Sequence, residues 1–64
     1  MGWISERQRV AVLAALELGY YDTPRRATHE EVADAIWVAP STVSEHLQKA
    51  ELKLVRATMA AYRE

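Results

Sequence analysis

Between Pro40 and Lys53 the chain sets Ser41, Thr42, Ser44, Glu45, Gln48, Lys49 and Lys53 among apolar residues. Two kinds of chemistry suit such a set. Ser44, Glu45 and His46 are the residue types of a nucleophilic relay. As consecutive residues of a helix, however, they point about 100° apart and cannot form one. His29 and His46 without any cysteine make no zinc site, and no glycine-rich loop is present to cradle a phosphate. The second chemistry is hydrogen bonding to the edges of bases. With Val43 and Leu47 fixed inward, helical geometry turns Ser41, Thr42, Ser44, Glu45 and Gln48 outward. Glutamine pairs bidentately with adenine, a carboxylate accepts from cytosine N4, and hydroxyls serve either. Lys49 and Lys53 lie a turn further on and suit phosphates, as do Arg25 and Arg26 of "PRR" and the backbone N–H groups that open each helix.

Plainer roles compete with these. Glu45 and Lys49 stand at i, i+4 and can pair with each other. Arg25 and Arg26 can pair with Asp22, Glu30 or Glu31. His46 sits beside the inward Leu47 as a half-buried packing residue, and His29 falls in the first turn of a helix. No catalytic residue, metal or cofactor is expected, so the chain is read as a binder and not an enzyme.

Three helices must carry these side chains. Ser5 is a good N-cap, and Gln8 three residues on completes a capping box. Glu6 to Leu18 contains no breaker, and Gly19 follows where a left-handed residue is wanted. "YYDTPRRA" then reads as a loop, with Tyr20 and Tyr21 roofing the core and Thr23 pushed out of helical space by Pro24. Thr28 and Glu31 make a second capping box, opening a helix over 29–36 whose face is Val32, Ala33 and Ile36. Its acidic first turn suits the helix dipole. The third helix begins at Pro40, favoured at the first helical position, and ends at 56 or continues to 62. Ser41 competes as its start. Val43, Leu47, Ala50, Leu54, Ala57 and Ala61 recur along it at spacings of three and four.

Two short helices joined by a turn of about three residues, the second studded with small polar groups, form a helix-turn-helix pattern. Ala33 permits the close crossing, Val38 plugs it after the turn, and Ile36, Val43 and Leu47 complete the core. Trp37 occupies the turn position that prefers glycine for its positive φ, a choice that costs on the order of 1 kcal/mol. Either its indole lies over apolar neighbours or it faces a partner.

Bulk properties narrow the class further. Sixty-four residues make one small domain, and without cysteine no disulfide or thiolate site staples it. No apolar run approaches the roughly 20 residues of a membrane span, so a cytoplasmic protein with no membrane partner is expected. The net charge is −1, from 8 basic and 9 acidic residues, whereas many DNA-binding domains are strongly basic. Residues 27–39 carry only the acids Glu30, Glu31 and Asp34. Any basic surface is therefore built from "PRR" and the last helix.

"RQR" at 7–9, "ELGYYDTPRR" at 17–26, the Thr28-to-Glu31 box and "STVSEHLQKAELKL" at 41–54 resemble the helix-turn-helix domain of the bacterio-opsin activator family of archaeal transcription regulators. The likeness spans residues 4 to 54, and the aromatic "PRR" loop is its most distinctive piece. It implies a DNA-binding domain, similar also to the DNA-reading region of sigma factors, that usually closes a longer regulator with a sensor upstream. This chain is then an excised domain or a small stand-alone regulator. Departures from the family pattern are Trp37 where the family has glycine, Ala39 and Pro40 where it has serine and a polar residue, and Val10 and Leu13 at places that look polar in the family.

The resulting expectation is an all-α bundle of three helices over residues 1–64, sigma-factor region-4-like, whose long last helix either runs on or breaks near Arg56. Its function is sequence-specific reading of double-stranded DNA in the major groove by the helix starting at Pro40. The rival is an interaction module of the same fold with little DNA affinity. The first helix, apolar nearly all round, must be buried on more than one side. That makes Val10, Leu13, Trp37, Leu54, Ala57 and Ala61 candidates for contact with a second copy or a sensor domain. Trp3 is a candidate partner contact or a staple onto the first helix.

Overall fold

A computed structural model describes residues 4–63 and contains α1 (Glu6–Leu18), α2 (His29–Ala35) and α3 (Pro40–Ala61), with no strand among the described residues. Trp3 lies outside the described residues. Both capping boxes form. The Ser5 hydroxyl accepts from Gln8 N–H at 3.2 Å while Gln8 Oε1 accepts from Ser5 N–H at 3.4 Å. Thr28 Oγ1 accepts from Glu31 N–H at 3.2 Å and Glu31 Oε1 from Thr28 N–H at 2.9 Å. Two orphan donors are thereby satisfied at the start of α1 and at the start of α2.

α1 stops at Gly19, whose φ of 87° is left-handed. From there Gly19 O accepts from Asp22 N–H at 3.2 Å and from Arg26 N–H at 2.8 Å, folding the loop back beneath the helix end. A Cβ at this position would stand 2.6 Å from Arg26 Cβ. Glycine is required twice over here, by its dihedral and by the approach of the returning chain.

The core is made of small side chains. Ala11 and Ala15 of α1, Val32 and Ala33 of α2, and Val43, Leu47 and Ala50 of α3 are all buried. Alanines one helical turn apart let axes approach closely, so each helix packs on both others. Val32, Val43 and Leu47 are the largest fully buried side chains, and Ile4 and Ala27 are buried as well.

On other points the structure departs from expectation or takes one of the alternatives left open. α2 ends at Ala35, and Ile36 caps it in a non-helical conformation. α3 is one rod of 22 residues, about 33 Å long, running through Arg56 without a break. It starts at Pro40 behind Ala39, which offers no side-chain cap, so Ser41 is not its start. Val38 does not plug the crossing. Its N–H reaches Ala33 O at 3.1 Å, but its side chain is exposed, because a residue following the turn is held by backbone bonds whichever way its side chain points. Leu54, Ala57 and Ala61 continue the inward spacing of α3, yet they are exposed because the rod outruns the bundle after Ala50. Val10, Leu13, Leu16 and Leu18 of α1 are exposed as well. Among the described residues α1 is covered on one side only, that of Ala11 and Ala15.

Trp37 adopts a φ of 62° and is 93 % exposed, which rules out packing over apolar neighbours. Its backbone strain is therefore uncompensated inside the chain. Replacing Gly19 by Ala is expected to lower stability by about 1–3 kcal/mol in a urea melt. Trp37→Gly removes the strain at the expense of a more flexible unfolded chain. Its stability should stay level or rise by up to about 1 kcal/mol; a loss larger than that would mean the indole is packed.

Candidate nucleic-acid interface

The turn holding Trp37 delivers α3 with Val43, Leu47 and Ala50 against α1 and α2. The opposite side of its first three turns is set by that burial. Ser41, Glu45, Gln48 and Lys49 are exposed there, while Thr42 and Ser44 are half-buried on the two flanks. Thr42 differs from the others in that it joins His46, Ile36, Val38 and Val10 in lining an open groove of about 340 Å³ between α1 and the turn. Thr42 thus sits at the edge of the polar face, near a half-buried His46.

Glu45 Oε1 and Lys49 Nζ lie 3.5 Å apart, both well exposed. Such a pair is worth a few tenths of a kcal/mol and yields readily to a better partner. The arginines of the loop are held differently. Arg25 Nε donates to Tyr20 O at 3.0 Å, and its guanidinium lies 4.3 Å from the centre of the Tyr20 ring. Stacking and a backbone bond together orient the planar fork and leave its charge in place. Arg26 Nε stands 3.5 Å from Asp22 Oδ2, an exposed contact.

Lys53 is placed apart from Lys49. One turn further along and rotated toward α1, its Nζ donates to Gln8 Oε1 at 3.0 Å. Gln8 is buried and its Oε1 already closes the α1 capping box. Sequence reasoning saw Gln8 only as a cap. Its second role depends on the crossing of α1 over α3, which no local pattern encodes. Tyr21 was likewise read as part of a roof. It is exposed and meets Tyr20 edge-on, with ring centres 5.0 Å apart. Its hydroxyl donates to Glu51 Oε2. Burial, and then this bond and the charge of the carboxylate, push the phenol well above its ordinary range, so it stays a neutral donor tying the loop to α3.

The helix starts are unequal. Those of α1 and α2 are closed by their capping boxes, whereas α3 has no side-chain cap. In the first turn of α3 Pro40 has no N–H and Thr42 and Val43 donate to Ala39 O, which leaves the Ser41 N–H without a side-chain cap beside the polar face. Among the described residues no cluster of His, Asp or Glu could hold a metal ion, and no helix is long and apolar enough to cross a membrane.

These features coincide with family likeness. A family model described as "HTH DNA binding domain" matches residues 4–56. A "Putative transcriptional regulator" of Haloferax volcanii is 44% identical over 52 residues, which are 81% of this chain and 9% of that protein. The "Bacterioopsin transcriptional activator" of Halobacterium salinarum is 41% identical over 54 residues, 84% of this chain and 8% of that protein. A "Dimethyl sulfoxide reductase transcriptional activator" of Haloferax volcanii is 39% identical over 54 residues, 84% of this chain and 25% of that protein. The chain thus spans less than a tenth of the first two and a quarter of the third. No solved structure matches. The rival expectation, an interaction module with little DNA affinity, gains no support from these likenesses. The chain belongs to the bacterio-opsin activator-type family of helix-turn-helix DNA-binding domains found in archaeal transcription regulators.

Proposed function

We propose that the chain reads duplex DNA by laying the first half of α3 in the major groove, with Ser41, Ser44, Glu45 and Gln48 against base edges and Thr42 at the margin. The observation carrying this reading is the polar face of α3 directly opposite its buried Val43–Leu47–Ala50 strip. Gln48 supplies a bidentate pair to adenine, and Glu45 accepts from cytosine once Lys49 leaves it for a phosphate. Arg25, preset on Tyr20, clamps the backbone together with Arg26 and Lys49, and the Ser41 N–H at the uncapped start of α3 adds a further contact. Lys53 contributes less to this set, since Gln8 holds its ammonium.

The protein acts by binding, without catalysis or a cofactor, in the cytoplasm where its DNA lies. It works as a homodimer or as the reading domain of a larger regulator with a sensor. The small share of each relative that it spans favours the second arrangement.

Titration of random-sequence duplex should show affinity falling steeply with salt, with a log–log slope of about −3 for three to four phosphate contacts. Arg25→Ala and Lys49→Ala should each flatten the slope by about 1 and weaken all sequences alike. Absence of any salt-dependent binding would sink the reading. Gln48→Ala, assayed by selection from a randomised duplex pool, should relax preference at one base position by about 1–3 kcal/mol and leave the salt slope unchanged.

A further inference from the structure

The overhanging half of α3 carries a second apolar stripe. Leu52, Val55, Met59 and Tyr62 recur at spacings of three, four and three, and all four are exposed. Tyr62 caps the helix and the other three lie within it. At about 100° per residue Leu52 and Met59 fall opposite Val43, Leu47 and Ala50 and Val55 and Tyr62 on the adjoining flank, and none of the four is covered among the described residues. The stripe expected from the sequence, Leu54, Ala57 and Ala61, lies on the other side and is mostly alanine. The 3–4–3 spacing is that of a coiled-coil seam, with Leu52 and Met59 at its first heptad position (a) and Val55 and Tyr62 at its fourth (d). The seam is narrow. Glu51 and Thr58 flank it on one side and Arg56 and Arg63 on the other. A stripe of that width buries one neighbouring helix.

We propose that residues 51–63 form a parallel, in-register, two-stranded coiled coil with a second copy of this chain. Charge complementarity selects the occupant and its direction. In a parallel pair the residue before each a position meets the partner's residue five further on, which sets Glu51 against the partner's Arg56 on both sides of the two-fold axis. Thr58 then meets the partner's Arg63, with no like charges opposed. An antiparallel pair would instead bring Arg56 beside the partner's Arg63 and leave Glu51 facing Thr58. Glu51 gives one carboxylate oxygen to the Tyr21 hydroxyl, and its other oxygen is available for the partner. The inference rests on the seam alone and goes beyond the DNA reading. If both hold, the two α3 rods diverge from the seam as a fork, each carrying its polar first half outward.

The chain has no cysteine, so Leu52→Cys introduces a single thiol at the seam. The mass of the 64-residue chain is followed in solution from about 10 µM to about 1 mM, where so short a seam should associate, alongside oxidation of L52C. A dimer of the 7.3 kDa chain, with L52C closing an interchain disulfide, is expected. Arg56→Glu should weaken the dimer about tenfold in the parallel arrangement and tighten it in the antiparallel one. The double variant L52K/V55K should be monomeric with its helical circular dichroism intact, since neither side chain is buried. A chain that stays monomeric at the highest concentration overturns the proposal and leaves the stripe to another occupant, such as a further segment of a longer protein. A trimer or tetramer, or tightening by R56E, also overturns it. Duplex binding measured on the monomeric L52K/V55K chain separates the two ideas: a weakened but salt-dependent affinity keeps the DNA reading whichever way the seam is decided.

Discussion

α3 buries Val43, Leu47 and Ala50 against α1 and α2, a strip of three residues that anchors its other contacts. The rest of the architecture depends on that contact. It fixes the rotation of α3 about its own axis, and rotation decides which side chains face outward. Shifting the strip by one residue would turn the helix by about 100° and carry Gln48 and Glu45 toward its flanks. The polar face is thus a product of core packing. The close approach in turn rests on alanines at 11, 15, 33 and 50, since larger residues would hold the axes apart.

Charge is spent locally in much of this domain. Arg9 bonds Glu6 at 2.6 Å, Arg26 meets Asp22, and Lys49 meets Glu45. These contacts are exposed and individually weak. They hold cations where a stronger anion can take them over, and a phosphate is such an anion. A near-neutral sum is therefore compatible with a surface that binds DNA, because the acids beside Arg9, Arg26 and Lys49 are exposed competitors of small worth.

Features encoded within four or five residues of chain were readable in advance. The two capping boxes and the stop at Gly19 depend on neighbours in sequence, and each has a short-range physical cause. Features created by the crossing of helices were not. Val38 looked like a plug because its position follows the turn, but whether it is covered depends on where α1 lies. Lys53 looked like an outward lysine until the crossing set Gln8 beneath it. The end of α3 shows the same limit. The spacing that runs from Val43 to Ala50 continues without change to Ala61, and periodicity has no means of recording that α1 and α2 have already ended. The stripe on the opposite side escaped notice because Ser41, Glu45 and Gln48 precede it on the same face and give that face a polar character. For the exposed polar face of α3, residue types and helical geometry sufficed to nominate Ser41, Glu45 and Gln48 as outward-facing. The groove that claims Thr42 was invisible in one dimension.

The alanine-built crossings also shape how this sequence can change over time. At Ala11, Ala15, Ala33 and Ala50, all fully buried, every replacement except glycine adds volume where none is spare. Drift by gradual exchange of similar side chains, which lets leucine- and valine-rich interiors wander, is closed at these positions. Variation is diverted to the outside of α1 and the free end of α3. Those surfaces can acquire new associations one substitution at a time while the angle at which α3 is presented stays fixed.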